Sequence, residues 1–174
     1  MNIPKILGFI ANSGTGKTTL LLKLIPLLKA RGLKIAMIKH SHHHFDIDHP
    51  GKDSYRLRHA GADQMLIASR LRWALMVELE DQNLKEPNLE QLLSKLDQEN
   101  LDLILVEGFK HEAIPKIEVH RPSLGKLAFF PTDSNIIAVA CDDKPVEATD
   151  LPLLPLNQPE KIVEFITEFL SKST

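Results

Sequence analysis

Apolar runs alternate with polar, turn-rich stretches along almost the whole chain. Residues 4–10 are apolar without a polar alternation, which predicts a strand buried on both faces. A leucine-rich stretch from about Lys17 to Arg31 is apolar on nearly every face, Lys23 and Lys29 being the main exceptions. It predicts a helix wedged against a sheet, kinked or short of one hydrogen bond near Leu22 because of Pro26, and closed by Gly32. Residues 34–39 predict a second strand. Tyr55 to Ala60 predicts a short helix, capped by Asp53 or Ser54 and closed by Gly61. Residues 65–68 and 73–77 predict two strands joined as a hairpin or an extra edge, with Trp73 in a core. Glu80 to Asn88 predicts a surface loop, and Asn88 with Gln91 a capping box opening a helix to about Leu96.

Residues 101–109 are an apolar strand that ends in Glu107 and Gly108. Two further strands are predicted at 114–120 and 135–140, separated by a loop over 121–134 that holds Pro122, Gly125 and Pro131. A short strand near 153–156 and a final helix from Gln158 to about Ser171, with Asn157 and Glu160 as its capping box, complete the order. Alternating strands and helices give an α/β fold with a mostly parallel central sheet flanked by helices, plus the hairpin. At 174 residues the expectation is one domain spanning 1–174.

Composition narrows the class without naming a function. The chain is 43% hydrophobic and 25% charged, as soluble globular proteins are. Its 21 basic and 23 acidic residues leave a formal charge of −2, so no nucleic-acid or anionic-membrane surface is indicated. The single cysteine, Cys141, excludes an internal disulfide and a cysteine metal cluster. No apolar run approaches the ~20 residues of a membrane span, and the cytoplasm is the default compartment.

The stretch Ala11-Asn12-Ser13-Gly14-Thr15-Gly16-Lys17-Thr18-Thr19 lies between the first strand and the first helix. It fits the phosphate-binding loop pattern, with Ala11 standing where glycine is more usual. Gly14 and Gly16 let the backbone curl with positive φ and turn N–H groups inward. The helix N-terminus adds its positive end. Lys17 supplies a point charge for β- and γ-phosphates, and the Thr18 hydroxyl is placed to ligate Mg²⁺. Ser13, Thr15 and Thr19 complete the nucleotide-binding set. Such a loop needs a second acid, and Glu107, closing an apolar strand, is the choice for Mg²⁺ or its water. Gly108 follows, where a backbone N–H could meet a γ-phosphate. Asp102, at the other end of that strand, points away from the loop.

Residues 39–54 hold five of the eight histidines and three aspartates. This stretch admits several chemistries. It could be a switch-like segment bringing Asp46, Asp48 or Asp53 toward Mg²⁺. It could be an anion or pterin-phosphate site using Lys39, His40 and Lys52. It could be a transition-metal site using His42, His43, His44 and His49, or simply a solvated loop. The guanine signature Asn-Lys-x-Asp is absent; an aspartate after the strand at 136–140, in Cys141-Asp142-Asp143, could accept from guanine N1 and N2 donors.

Taken together, these motifs resemble the MobB family of molybdopterin-guanine dinucleotide biosynthesis adaptors. The resemblance rests on Ser13-Gly14-Thr15-Gly16-Lys17-Thr18-Thr19-Leu20, on Ile38-Lys39-His40-Ser41-His42-His43, and on Pro50-Gly51-Lys52-Asp53-Ser54. It also rests on Ala60-Gly61-Ala62, Arg72-Trp73-Ala74-Leu75-Met76 and the stretch Leu101 to Glu112 with its Val106-Glu107-Gly108-Phe109-Lys110 core. It runs over residues 6–120 and continues loosely to the end, with 121–134 fitting least. The resemblance implies a GTP-binding protein with weak GTPase activity. It implies a homodimer that assists the guanylyltransferase attaching GMP to molybdopterin, with Gly14 to Thr19 on phosphates and Thr18 and Glu107 near Mg²⁺. Two other functions remain open on the residues alone. One is a small-molecule kinase, for which only Arg56, Arg58, Arg70 and Arg72 cluster as a lid would require. The other is a metal-delivery GTPase using the histidines.

Overall fold

A computed structural model describes residues 3–41, 45–79 and 86–172. The described chain falls into two compact units, one made of residues 1–40 and 88–174 and the other of residues 41–87.

The larger unit is an α/β layer structure. Its strands are β1 (Lys5–Ala11), β2 (Ile35–Lys39), β5 (Leu103–Glu107), β6 (Lys116–His120), β7 (Ile136–Cys141) and β8 (Leu153–Pro155). They form one sheet in the order β2-β5-β1-β6-β7-β8, every neighbouring pair parallel. All six strands therefore end at the same edge. β5 is buried at all five positions, as its unbroken run Leu103-Ile104-Leu105-Val106 requires of a central parallel strand.

One face of the sheet is covered by α1 (Lys17–Ala30) and α4 (Pro159–Ser171). Leu20, Leu21, Leu24 and Leu28 of α1 meet Ile162, Val163 and Ile166 of α4 over Leu7, Phe9, Leu103, Leu105 and Ile117. Leu22 and Pro26 lie on the exposed side of α1. The Leu22 carbonyl that proline leaves without a helical donor thus lies on a face open to water, and the helix continues through it.

The other face is covered by α3 (Leu89–Leu93), whose Leu89 packs with Ile38, Ile104, Val106 and Phe109, and by residues 128–130 over Ile10, Ile136 and Val139. On this face β6 carries three buried polar side chains in succession, Lys116, Glu118 and His120. Lys116 Nζ donates to the carbonyls of Lys110 and Glu112, both at 2.9 Å, and pairs with Asp133 Oδ2 at 2.6 Å. Burial pushes the Asp133 carboxyl up, but the Lys116 and Asn135 hydrogen bonds outweigh it and hold the group below the usual range. The Glu118 carboxylate accepts from the Phe129 and Phe130 amides at 2.9 and 2.8 Å. One buried acid thereby fixes the segment that roofs this side of the sheet.

The smaller unit holds α2 (Asp53–His59) and the antiparallel hairpin β3 (Gln64–Ala68) and β4 (Trp73–Val77). Arg58 joins its parts, with Nη1 2.7 Å from Glu78 Oε1 and Nη2 2.5 Å from Asp46 Oδ1. The guanidinium holds the Asp46 carboxyl below its ordinary value. Trp73 does not enter a core: it is 67% exposed. It alternates along β4 with the half-buried Ala74 and Met76, so it stands on the other, exposed face of the ribbon.

Helix starts differ from the expectation in two places. Asp53 is not a cap but the first residue of α2, after an extended Lys52, and pairs with Arg56 at 3.7 Å. Its charge still faces the positive end of the helix. The Asn157–Glu160 box does not form, because Pro159 takes the first helical position and Gln158 becomes the cap. Glu160 then falls one residue short of the spacing a capping box needs. At α3 the cap does form, Asn88 Oδ1 accepting from the Gln91 amide at 2.9 Å, but the helix ends at Leu93 rather than Leu96.

Replacing Glu118 by Gln removes one of the two carboxylate oxygens that the Phe129 and Phe130 amides share. We predict a loss of about 1–3 kcal/mol, read as a fall of several degrees in the melting midpoint. Burial raises the Glu118 pKa above the usual glutamate value despite its two amide donors. Its contribution to stability is therefore largest below the unfolded-state pKa and declines as pH rises to the raised one. Melts across that window should lose this component of the slope in Glu118→Gln.

Candidate functional site

The site is assembled at the edge where the parallel strands end. Residues 12–16 connect β1 to α1, and Gly16, the N-cap of α1, has φ 93° and ψ 19°. That left-handed conformation favours glycine, which explains why the chain has no side chain there. The first amides of α1 have no carbonyl ahead of them in the helix and form, with the helix dipole, an anion-binding surface.

The rest of the loop is pinned by its own atoms and by residues 121–127. The Thr15 hydroxyl, buried, donates to the Asn12 carbonyl at 2.9 Å. Arg121 Nε donates to the Thr15 carbonyl at 2.8 Å, and Lys126 Nζ to the Ser13 carbonyl at 2.7 Å. Asn12 Nδ2 donates to the Leu127 carbonyl at 2.9 Å. Two loop carbonyls are thus committed to cations.

Glu107, at the end of β5, is 6% exposed. Its Oε1 lies 3.4 Å from Lys17 Nζ and accepts from Thr18 Oγ1 at 3.3 Å. Lys39, closing β2, brings its Nζ within 3.2 Å of the same carboxylate. The parallel register β2-β5-β1 makes this convergence possible, since Lys39 pairs with Glu107 and Glu107 with Phe9, three residues before the loop. A buried carboxylate with one partner would be costly; two ammonium groups and a hydroxyl offset that cost. Gly108 follows at φ 91°, and a Cβ there would lie 2.9 Å from His40 Cβ. The His40 amide donates to the Glu107 carbonyl at 2.9 Å, and its ring lies 5.1 Å from that of Phe109.

The residues singled out in the sequence therefore divide. Lys17, Thr18, Lys39 and Glu107 meet around one carboxylate. Ser13, Gly14, Thr15, Gly16 and Thr19 form the loop and the first turn of α1, and Gly108 packs against His40. Asp53 belongs to the smaller unit. Asp102 sits at the opposite end of β5, accepting from the Lys34 amide at 2.7 Å. His42, His43 and His44 lie outside the described residues. No group of three or more His, Cys, Asp or Glu side chains placed to hold a metal occurs among the described residues.

Sequence reasoning missed Arg121 and Lys126. The one available signal was a lysine and an arginine in the loop that follows the strand beside the phosphate loop. Arg121 also pairs through Nη1 with Asp142 Oδ2, just beyond β7.

A parallel sheet with a glycine-rich loop after its central strand, a helix behind the loop and an acid ending the next strand defines a P-loop NTPase-like protein. Comparison with known proteins resolves the class further. The family model for molybdopterin guanine dinucleotide synthesis protein B matches residues 6–142, and the chain belongs to that family, MobB. It is 51% identical to the molybdopterin-guanine dinucleotide biosynthesis adapter protein of Escherichia coli K12, over 96% of this chain and 94% of that one. It is 44% identical to the protein of the same description from Haemophilus influenzae, over 95% and 89%. A crystal structure described as molybdopterin-guanine biosynthesis protein B superposes with a TM-score of 0.69 at 26% identity, covering 94% of this chain and all but 1% of the other. Bacillus subtilis MobB superposes with a TM-score of 0.74 at 23% identity, covering 97% and 99%, and supports the fold.

Proposed function

We propose that this protein is an adapter in molybdopterin-guanine dinucleotide biosynthesis that binds GTP and assists the guanylyltransferase converting the molybdopterin cofactor to its guanine dinucleotide. The observation that carries the nucleotide reading is the meeting of Lys17, Thr18 and Lys39 on Glu107 beside a phosphate-type loop. The family and its curated relatives carry the pathway.

In this reading the amides at the start of α1 hold the β- and γ-phosphates. Lys17 turns from the carboxylate to the phosphates, an exchange of one anionic partner for another. Lys39 remains to neutralise Glu107. Thr18 Oγ1 and the Glu107 carboxylate are two hard oxygen donors 3.3 Å apart, which suits Mg²⁺. When bound, the ion would neutralise phosphate charge. We place hydrolysis at a slow rate, because fast turnover in this class needs a water-positioning residue or a mobile arginine. Arg121, the arginine beside the loop, is already held by the Thr15 carbonyl and Asp142.

The same proposal makes the protein a cytoplasmic homodimer. No described helix is long and apolar enough to cross a membrane. The hairpin exposes Leu66, Trp73, Leu75 and Val77, the kind of surface a second copy would cover. The kinase alternative gains nothing from the described residues. Arg58, one of the arginines a kinase lid would need, is occupied by Asp46 and Glu78.

Three measurements test this. Lys17→Ala should abolish GTP binding by calorimetry with the fold intact by circular dichroism; retained affinity would remove the loop from the function. Glu107→Gln should weaken the Mg²⁺ dependence of hydrolysis, and an unchanged Mg²⁺ titration would take Glu107 out of the metal site. The guanylyltransferase should co-purify with the wild-type chain more strongly when GTP is present; no retention in either condition would refute the adapter role.

A further inference from the structure

Two glycine amides of the phosphate loop, those of Gly14 and Gly16, donate to no acceptor among the described residues. The Thr15 amide between them is different, since it turns back on the Asn12 carbonyl at 3.4 Å. Each free amide shares a peptide plane with the carbonyl of the residue before it, Ser13 for Gly14 and Thr15 for Gly16. Both peptides are trans. A trans peptide is planar and points its C=O and N–H in opposite directions, so whatever fixes the carbonyl also aims the amide. Both carbonyls are fixed from outside the loop. Lys126 Nζ donates to that of Ser13 at 2.7 Å and Arg121 Nε to that of Thr15 at 2.8 Å. Arg121 is itself held by Asp142. A Cβ on Gly16 would lie 3.7 Å from Arg121 Nη2.

The glycines make this outside hold necessary. Gly14 has φ 81° and Gly16 φ 93°. Glycine adopts positive and negative φ about equally well, so the residue type that lets the loop curl also lets the preceding peptide turn over. Turned over, that peptide would present a carbonyl oxygen to an anion in place of an N–H. A cation bonded to the outward carbonyl opposes the turn, because it would lose its acceptor. It also polarises the peptide and makes the N–H a stronger donor. We infer that Arg121 and Lys126 are positioning residues for anion binding. Lys126 holds the Ser13 carbonyl outward and so aims the Gly14 amide at the phosphates; Arg121 does the same for the Gly16 amide through Thr15. Neither side chain touches the anion in this role. The inference rests on the nucleotide reading of the loop given above, and adds to it two side chains outside the loop on which its affinity depends.

The chain has eight glycines, and Ser13-Gly14 and Thr15-Gly16 are its only Ser-Gly and Thr-Gly pairs. Labelling the carbonyl carbon of serine or threonine together with the nitrogen of glycine therefore isolates each peptide in the NMR spectrum of the full chain. In Lys126→Met the Ser13 carbonyl and Gly14 amide signals should move while those of Thr15 and Gly16 stay. Arg121→Met should do the reverse; it is combined with Asp142→Asn so that no unpaired carboxylate is left beside the loop. Calorimetric titration with inorganic tripolyphosphate should show affinity about 10-fold lower or more in each variant, the size of a lost hydrogen bond to a charged group. Lys126→Arg, which keeps a donor, should restore both the signals and the affinity. A fall in affinity with the Ser13 and Gly14 signals unmoved would make Lys126 a plain counter-charge and overturn the inference. Moved signals with wild-type affinity, or movement of all eight glycines together, would overturn it too. Lys17→Ala keeps the two failures apart. It should lose tripolyphosphate with the Ser13 carbonyl signal in place, and retained binding there would remove the phosphate reading itself.

Discussion

A carboxylate held almost out of water at the end of a central strand is the constraint around which the rest of this structure is arranged. Glu107 would be expensive to bury alone. It is tolerated because Lys17 and Thr18 arrive from the helix after β1 and Lys39 from the end of β2. Those partners come from both neighbouring strands, so the acid ties together β2, β5 and β1 at the one edge they share. In the proposed nucleotide reading, a cation that leaves the carboxylate for a phosphate exchanges one anion for another, and Glu107 keeps a second cation when it does.

The opposite flank uses the same solution with the signs rearranged. Lys116 is buried on β6 among two carbonyls and Asp133, and Glu118 two residues on takes two amides from 129–130. Both ties secure the segment that leaves β6 and returns to β7. The first part of that segment carries Arg121 and Lys126 to the carbonyls of the phosphate loop. The loop is therefore stiffened from outside its own sequence, by two cations, Arg121 and Lys126, on a segment that the buried Glu118, three residues before Arg121, holds at 129–130. Preorganised amides lose less entropy on meeting an anion than mobile ones do.

Much of this was legible in the chain, and the reasons are physical. The strands of the parallel sheet are apolar runs without alternation, a pattern few other structures produce. The position of the loop between β1 and α1 was legible because its glycines mark a backbone turn between an apolar run and a leucine-rich helix. Glu107 was legible as an acid ending such a run. Arg121 and Lys126 were not, because a cation in a proline-containing loop has no periodicity and its target, a backbone carbonyl, leaves no mark in the sequence. The start of α4 was misplaced for a different reason: two local signals competed, and the fixed φ of Pro159 outweighed the hydrogen bonds offered by Asn157 and Glu160. Trp73 was misassigned because hydrophobicity reports a preference for burial but not whether a partner surface exists within the same chain.

That last point bears on how the smaller unit is held together. A two-stranded ribbon is marginal in water on its own. Here α2 packs on the ribbon, with Tyr55, Met65, Ala74 and Met76 half-buried; Arg58 also pairs with Asp46 and Glu78, and Tyr55 stacks on His59 at 3.8 Å between ring centroids. No side chain of α2 is buried. The hairpin meanwhile leaves Leu66, Trp73, Leu75 and Val77 exposed on a short, regular ladder. Apolar side chains at this density oppose solubility unless something covers them. A ribbon half-buried on one face and apolar but exposed on the other has the form expected of an interaction element. The proposed second copy satisfies that requirement with no further chain, since an isologous contact places the same apolar set on both sides.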